Sequence, residues 1–284
     1  MKRLVRAVAA MLFLGWSNAV PAADRIARAS LFDAHLHYNE EARARFSVAQ
    51  TLAQLQAEGV GAVIATSTPN DGTHELAMAA AGGSVVVIPF LRPYRTDADR
   101  GTWFKDPAIA SFVDDELARD GSYRGIGEFH VHGAADAAGT TMKHIIDVAV
   151  ARDLWLHAHC DDAALEAIFA HDARAKVIWA HTGFTTPPVK IADYLSRHPT
   201  LIAELSYRGD VASGTKVTAA WRELFVRYPD RFILGSDTWS AERWASYDAI
   251  IAAYRGWLAD LPPAVAAEVR WDNAARMFGV SQVK

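Results

Sequence analysis

Along the chain, short apolar runs rich in β-branched residues alternate with Ala-rich stretches whose apolar positions recur at helical spacing. The runs predict strands over residues 30–38, 61–67, 84–91, 123–131, 153–159, 176–181, 201–206 and 231–237. The intervening patterns predict helices over 47–58, 73–81, 107–119, 140–151, 162–171, 189–197, 215–228 and 241–259, with a last one over 271–278. Strands that are nearly continuous apolar runs, each followed by a helix, are buried on both faces and imply a parallel sheet. Eight such units close as a single-domain α/β fold, a (β/α)₈ TIM barrel. A doubly wound sheet is the alternative, but no Gly-rich turn follows the first strand. The least regular stretch, residues 92–106, carries Tyr94, Trp103 and Phe104 and is expected to close over a site; the last helix is expected to cover one barrel end.

The N-terminus departs from this pattern. Lys2, Arg3 and Arg6 precede an apolar stretch over 7–16, and Val20-Pro21-Ala22 supplies small residues for cleavage. Residues 1–23 thus read as a signal peptide, leaving a barrel domain over 24–284. The apolar run falls well short of the roughly 20 residues that span a bilayer, so no stable membrane anchor is expected after cleavage. The lone Cys160 has no intrachain disulfide partner, and export with a single cysteine fits a bacterial periplasm. The net charge of −4, without a basic run interleaved with aromatics, argues against nucleic acid as a partner. A small-molecule substrate is expected instead, with self-association into a homodimer as a further expectation.

Polar residues that a core disfavours recur at the C-terminal ends of the predicted strands, where barrel enzymes build their sites. The first strand ends Asp33-Ala34-His35-Leu36-His37, and alternation puts His35 and His37 on one face with Asp33 a step deeper. Two imidazoles so placed can share one metal ion. Glu128 follows the apolar fourth strand, where an uncompensated carboxylate would be costly, so a metal ion or an arginine is expected beside it. His130 and His132 read as structural. The fifth strand offers His157 and His159 on one face, and His159 is favoured as the ligand because it lies nearer the strand end. His157 then reads as a hydrogen-bonded core histidine or as a partner to a ligand, and Cys160 as packing. His181 ends the sixth strand and Asp237 the eighth. Each signal is weak alone; their joint placement at one barrel end is not.

Taken together, Asp33-Ala34-His35-Leu36-His37, Gly127-Glu128, His159-Cys160-Asp161, Trp179-Ala180-His181-Thr182-Gly183 and Leu234-Gly235-Ser236-Asp237-Thr238-Trp239 resemble the amidohydrolase superfamily, in its amidohydrolase-2 branch. The closing Asn273-Ala274-Ala275-Arg276-Met277-Phe278-Gly279 is similar to that branch's C-terminal signature. The resemblance implies His35, His37 and His159 as metal ligands, and His181 as a second-metal ligand or a substrate-polarising group. It implies Asp237 as ligand and proton shuttle. Gly127-Glu128 also resembles the TatD-like hydrolases, which implies Glu128 as a ligand and a site for one or two ions. No lysine on the fourth strand offers a carboxylated bridge.

A divalent ion, Zn²⁺ above all, lowers the pKa of a bound water to about 7. With Asp237 taking up and returning the proton, and His181 helping to stabilise an oxyanion, the expected reaction is hydrolysis of an ester, lactone or amide. The alternatives are a metal-dependent non-oxidative decarboxylase of the same superfamily and a non-catalytic metal-binding barrel. Arg92 and Arg208, just past the third and seventh strands, are expected to bind an anionic group of the substrate, the alternative being that one or both pair with acidic neighbours such as Asp97 or Asp210. Tyr94, Trp103, Tyr207 and Trp239 are expected to wall a ring-bearing or cyclic one.

Overall fold

The computed structural model describes residues 30–281, so the signal-peptide expectation over 1–23 lies outside the described residues. Eight parallel strands follow one another in chain order: β1 (Leu31–His37), β2 (Val60–Thr66), β3 (Val86–Leu91), β4 (Gly125–Val131), β5 (Trp155–Cys160), β6 (Lys176–Trp179), β7 (Leu201–Glu204) and β8 (Phe232–Ile233). The seam between β8 and β1 is closed by hydrogen bonds from Ala34 N–H to the Leu234 carbonyl at 2.8 Å and from Asp237 N–H to the His35 carbonyl at 2.6 Å. The (β/α)₈ barrel is nearly complete.

Helices return the chain between strands: α1 (Val48–Ala57), α2 (Asp71–Ala80), α3 (Ala108–Arg119), α4 (Thr140–Ala151), α5 (Asp162–His171), α6 (Pro188–Arg197), α7 (Ala219–Arg227) and α8 (Tyr247–Leu258). Their starts follow local chemistry. Ser47 and Gln50 form a reciprocal capping box on α1, and Asp161 caps α5 by accepting from Ala164 N–H. Asp161 also accepts from Gly133 N–H, so this part of the fifth-strand motif is structural.

Two departures from the sequence pattern shape the upper barrel rim. The helix expected over 215–228 begins later, because Ala212–Ser213 and Lys216–Val217 pair as a short antiparallel hairpin. The one expected over 241–259 is split at Ser246 into Ala241–Ala245 and α8. At the opposite end, Trp271 and Phe278 of the C-terminal segment pack against Phe32, and Phe278 also meets Phe90. Together with Ile64, Ile178, Ile202 and Ile233 they plug the barrel floor, which leaves only the strand C-termini open to solvent chemistry.

Gly125, at the start of β4, makes room for this plug: a Cβ there would run into the Phe90 ring. Gly125→Ala should therefore destabilise the protein by about 1–3 kcal/mol, as overpacked cores do. A urea midpoint unchanged from wild type would contradict this packing.

Candidate metal centre

The last turns of β1 place His35 and His37 side by side, both fully buried. Alternation holds for this pair but not for Asp33. The β1–β2 register slips between Asp33 and Leu36, and the Asp33 carboxylate is taken up by Ser236 N–H at 2.8 Å and the Tyr247 hydroxyl of α8 at 2.9 Å. A bulge advances the alternation by one residue, which separates Asp33 from the two imidazoles.

The two Nε2 atoms stand 3.1 Å apart and face carboxylates from β4 and from the segment after β8. His35 Nε2 is 3.6 Å from Glu128 Oε1 and 3.4 Å from Asp237 Oδ1. His37 Nε2 is 3.3 Å from Glu128 Oε2 and 3.0 Å from Asp237 Oδ1. His35, His37, Glu128 and Asp237 thus bring four ligand atoms within 4.8 Å of one another, all buried. Asp237 Oδ1 has no donor aligned on it although it is shielded from solvent. Two imidazole nitrogens, two carboxylates and a buried oxygen in search of a positive partner fit a divalent cation of the Zn²⁺ type.

His181 and His159 approach from the mouth. His181 Nε2 is 3.4 Å from Glu128 Oε1 and 3.8 Å from Asp237 Oδ2. His159 Nδ1 lies 3.0 Å from Glu128 Oε1. His157 faces the same side but deeper, edge-on to His35 with ring centroids 4.3 Å apart and both its nitrogens unpartnered. Burial and the neighbouring His35 push its pKa well below the ordinary value, so it stays neutral. The expectation of a hydrogen-bonded core histidine is not matched at His157. Burial opposes charge on Glu128 and Asp237 too, but the surrounding histidines more than offset it and hold both carboxyls below their usual range.

The strand pattern alone does not place His181 or Asp237. β6 stops at Trp179, and His181, Thr182 and Phe184 take positive φ of 55°, 45° and 55°. Tyr207 and Asp237 do the same at 58° and 49°. Left-handed backbone at side-chain-bearing residues costs about 1–3 kcal/mol each and clusters at functional sites.

The centre opens into a cavity of about 270 Å³ lined by Arg92, Arg100, His130, Phe184, Tyr207 and Trp239 besides Glu128, His159, His181 and Asp237. Arg92 is buried, with Nη1 3.1 Å from His37 Nδ1 and Nη2 3.4 Å from Glu128 Oε2. Arg208 does not line this cavity, and of its two expected partners it is Asp210 that it meets. Its guanidinium grips Asp210 in two places at 2.8 Å, donates to the Thr182 and Thr186 carbonyls and stacks on Trp221. Tyr94 and Trp103 are buried rather than wall-forming: the Tyr94 hydroxyl is 2.9 Å from His130 Nδ1, and Trp103 Nε1 donates to the His130 carbonyl at 2.7 Å. The segment after β3 therefore buttresses β4 through Tyr94 and Trp103 while Arg92 and Arg100 line the cavity.

One buried participant escaped the sequence reading. Glu204, the last residue of β7, is fully buried, and its Oε2 lies 3.0 Å from His35 Nδ1. The signal was present, since Glu204 follows the apolar Leu201-Ile202-Ala203 as Glu128 follows Gly125-Ile126-Gly127.

A family model described as amidohydrolase matches residues 32–280. No curated protein matches the chain. Among solved structures, an amidohydrolase from Burkholderia multivorans with bound zinc is 18% identical, with a TM-score of 0.54 over 89% of this chain and 100% of that one. A protein titled a probable 2-pyrone-4,6-dicarboxylic acid hydrolase from Acinetobacter baumannii, with citric acid bound, is 13% identical, with a TM-score of 0.57 over 88% and 99%. The 5-carboxyvanillate decarboxylase of Sphingomonas paucimobilis is 14% identical, with a TM-score of 0.59 over 89% and 99%. At these identities the structures show a shared fold, and it is the family match across nearly the whole barrel that places the chain in the amidohydrolase-2 family.

Proposed function

We propose that this protein is a metal-dependent hydrolase that opens an ester, lactone or amide of a small anionic or cyclic substrate. The observation that carries the reading is the convergence of His35, His37, Glu128 and Asp237 within 4.8 Å at the floor of a cavity. An ion held there supplies a Lewis acid and makes a bound water acidic enough to react near neutral pH.

Charge supports a single ion. His35 alone is within 3.6 Å of Glu128, Glu204 and Asp237, while Arg92 is the buried cation beside them. Three carboxylates against one guanidinium leave two charges, which one divalent ion balances. Without it, burial would lower the His35 pKa, but Asp237, Glu128 and Glu204 raise it well above the ordinary value. A proton then holds the place of the ion.

The chain's own groups supply the remaining chemistry. Asp237 faces the cavity floor, where it can take a proton from the attacking water and return it to the leaving group. His181, once protonated, can steady charge developing on the carbonyl oxygen. Arg92 and Arg100 stand on one side, and Arg100 Nε is buried without a partner. Phe184, Tyr207 and Trp239, at 41%, 43% and 48% exposed, offer apolar surface to a ring. The names of the similar proteins, a dicarboxylic acid hydrolase and an aromatic decarboxylase, agree with an acidic, flat substrate.

Uptake of Zn²⁺ by metal-free protein at pH 7 should release about one to two protons, and affinity should fall as pH drops and His35 holds its proton more firmly. Titration calorimetry in buffers of different ionisation enthalpy reads this directly; heats independent of buffer would contradict it. The His35→Ala/His37→Ala double variant should retain no stoichiometric metal by elemental analysis.

Zn²⁺-loaded protein screened against lactones, esters and aromatic carboxylates should open a lactone or ester, with Asp237→Asn lowering kcat by at least about 100-fold. Release of CO₂ from a carboxylate without hydrolysis would replace the hydrolase reading by a decarboxylase. Full activity in Asp237→Asn would remove Asp237 from the mechanism. Against acidic substrates, Arg92→Met and Arg100→Met should raise KM more than they do for neutral analogues.

A further inference from the structure

Glu204 is not among the residues that face the cavity, yet its carboxylate reaches His35, His181 and Ser206 behind the centre. Oε2 is 3.0 Å from His35 Nδ1, accepts from His181 N–H at 3.0 Å and accepts from the Ser206 hydroxyl at 2.8 Å. Oε1 accepts from Ser206 N–H. An ionised carboxylate can only accept, so the nitrogen of His35 that faces it carries the proton. The Ser206 hydroxyl proton is spent on Glu204, so its oxygen can only accept from His181 Nδ1 at 2.8 Å, as does the Ser206 carbonyl at 3.2 Å. With the remote nitrogen holding its proton, each imidazole can offer the Nε2 lone pair to an ion that displaces any second proton, and both Nε2 atoms face Glu128 and Asp237.

We infer that Glu204 is the positioning residue of this centre: it fixes His35 in the Nδ1–H tautomer directly and holds His181 in the same tautomer by its backbone and through Ser206. An imidazole ligates through a nitrogen only when its proton sits on the other, so the partner of the remote nitrogen decides whether the ligand is available. The close fit is built in elsewhere as well. Gly235, on the segment after β8, has no room for a side chain: a Cβ there would run into Glu204 Oε1 and His35 Cβ. Three strands are thus drawn together at one carboxylate, since His35 lies on β1, Glu204 on β7, and His181 just past β6. The inference rests on the proposed metal-centre reading.

The test uses the full chain. In Zn²⁺-loaded wild type, long-range ¹H–¹⁵N correlation spectra should show His35 with its proton on Nδ1, shifted downfield by the carboxylate, and the metal on Nε2. His181 should likewise show Nδ1–H. Glu204→Gln should weaken Zn²⁺ binding by about 10–100-fold in chelator competition, the loss typical of removing a ligand's hydrogen-bond partner. Its far-UV circular dichroism should match wild type, and its Co²⁺ absorption spectrum should change. Wild-type protein that binds no Zn²⁺ overturns both this inference and the metal-centre reading. Wild type that binds Zn²⁺ with His35 protonated on Nε2, or a folded Glu204→Gln with wild-type affinity, overturns this inference alone. If Glu204→Gln does not fold, the wild-type tautomers decide it.

Discussion

His35 sits within 3.6 Å of carboxylates contributed by β4, by β7 and by the segment after β8. Removing three carboxylates from water is expensive, and the cost falls on a region that also contains a fully buried neutral histidine, His157. What offsets it is positive charge brought to the same point: Arg92 from the segment after β3, and either a proton on His35 or the ion the ligand geometry accommodates. The rest of the upper barrel is arranged around that requirement. Each group that feeds the centre is in turn tied to another strand, so the centre links barrel segments that share no continuous ladder. Asp237 is one example, with its N–H on the His35 carbonyl across the seam where β8 and β1 form no continuous ladder.

The same requirement accounts for where backbone conformation is costly. His181, Thr182, Phe184, Tyr207 and Asp237 all take left-handed φ, and all lie beyond the ends of β6, β7 and β8. A strand continued straight through these positions would alternate its side chains outward. Turning early instead drops His181 beside Glu128 and frees Phe184 and Tyr207 to face the cavity. The turns are held by groups that do no chemistry. Arg208 donates to the Thr182 and Thr186 carbonyls, and Thr182 Oγ1 donates to the Glu204 carbonyl.

Aromatic residues divide between two tasks that composition does not separate. Tyr94 and Trp103 are buried and clasp His130 from behind, whereas Phe184, Tyr207 and Trp239 are partly exposed at the mouth, with Trp239 Nε1 donating to the Tyr207 hydroxyl at 2.8 Å. The first pair makes one wall rigid; the second group makes the other wall apolar. Arginines divide in the same way, Arg92 facing the centre and Arg208 bracing a loop.

The sequence by itself determined the eight-unit parallel barrel, because fully buried strands and amphipathic helices leave periods that local composition cannot hide. It also determined that His35, His37, Glu128, His159, His181 and Asp237 gather at one end, since polar residues closing apolar strands must meet something that offsets their burial. What it did not determine is fixed by distance and direction between segments far apart in the chain. The alternation rule misplaced Asp33 because a register slip in β1 depends on its partner strand. It favoured His159 over His157 only by nearness to the strand end, since both face inward and depth in the barrel is what distinguishes them. It left Arg208 open between substrate and Asp210, two residues on, and only the folded loop shows Asp210 taking its guanidinium. Glu204 carried the same signal as Glu128, but its meaning came from the fold: β1 and β7 lie 169 residues apart at the His35–Glu204 contact, and only barrel closure brings them to hydrogen-bonding distance.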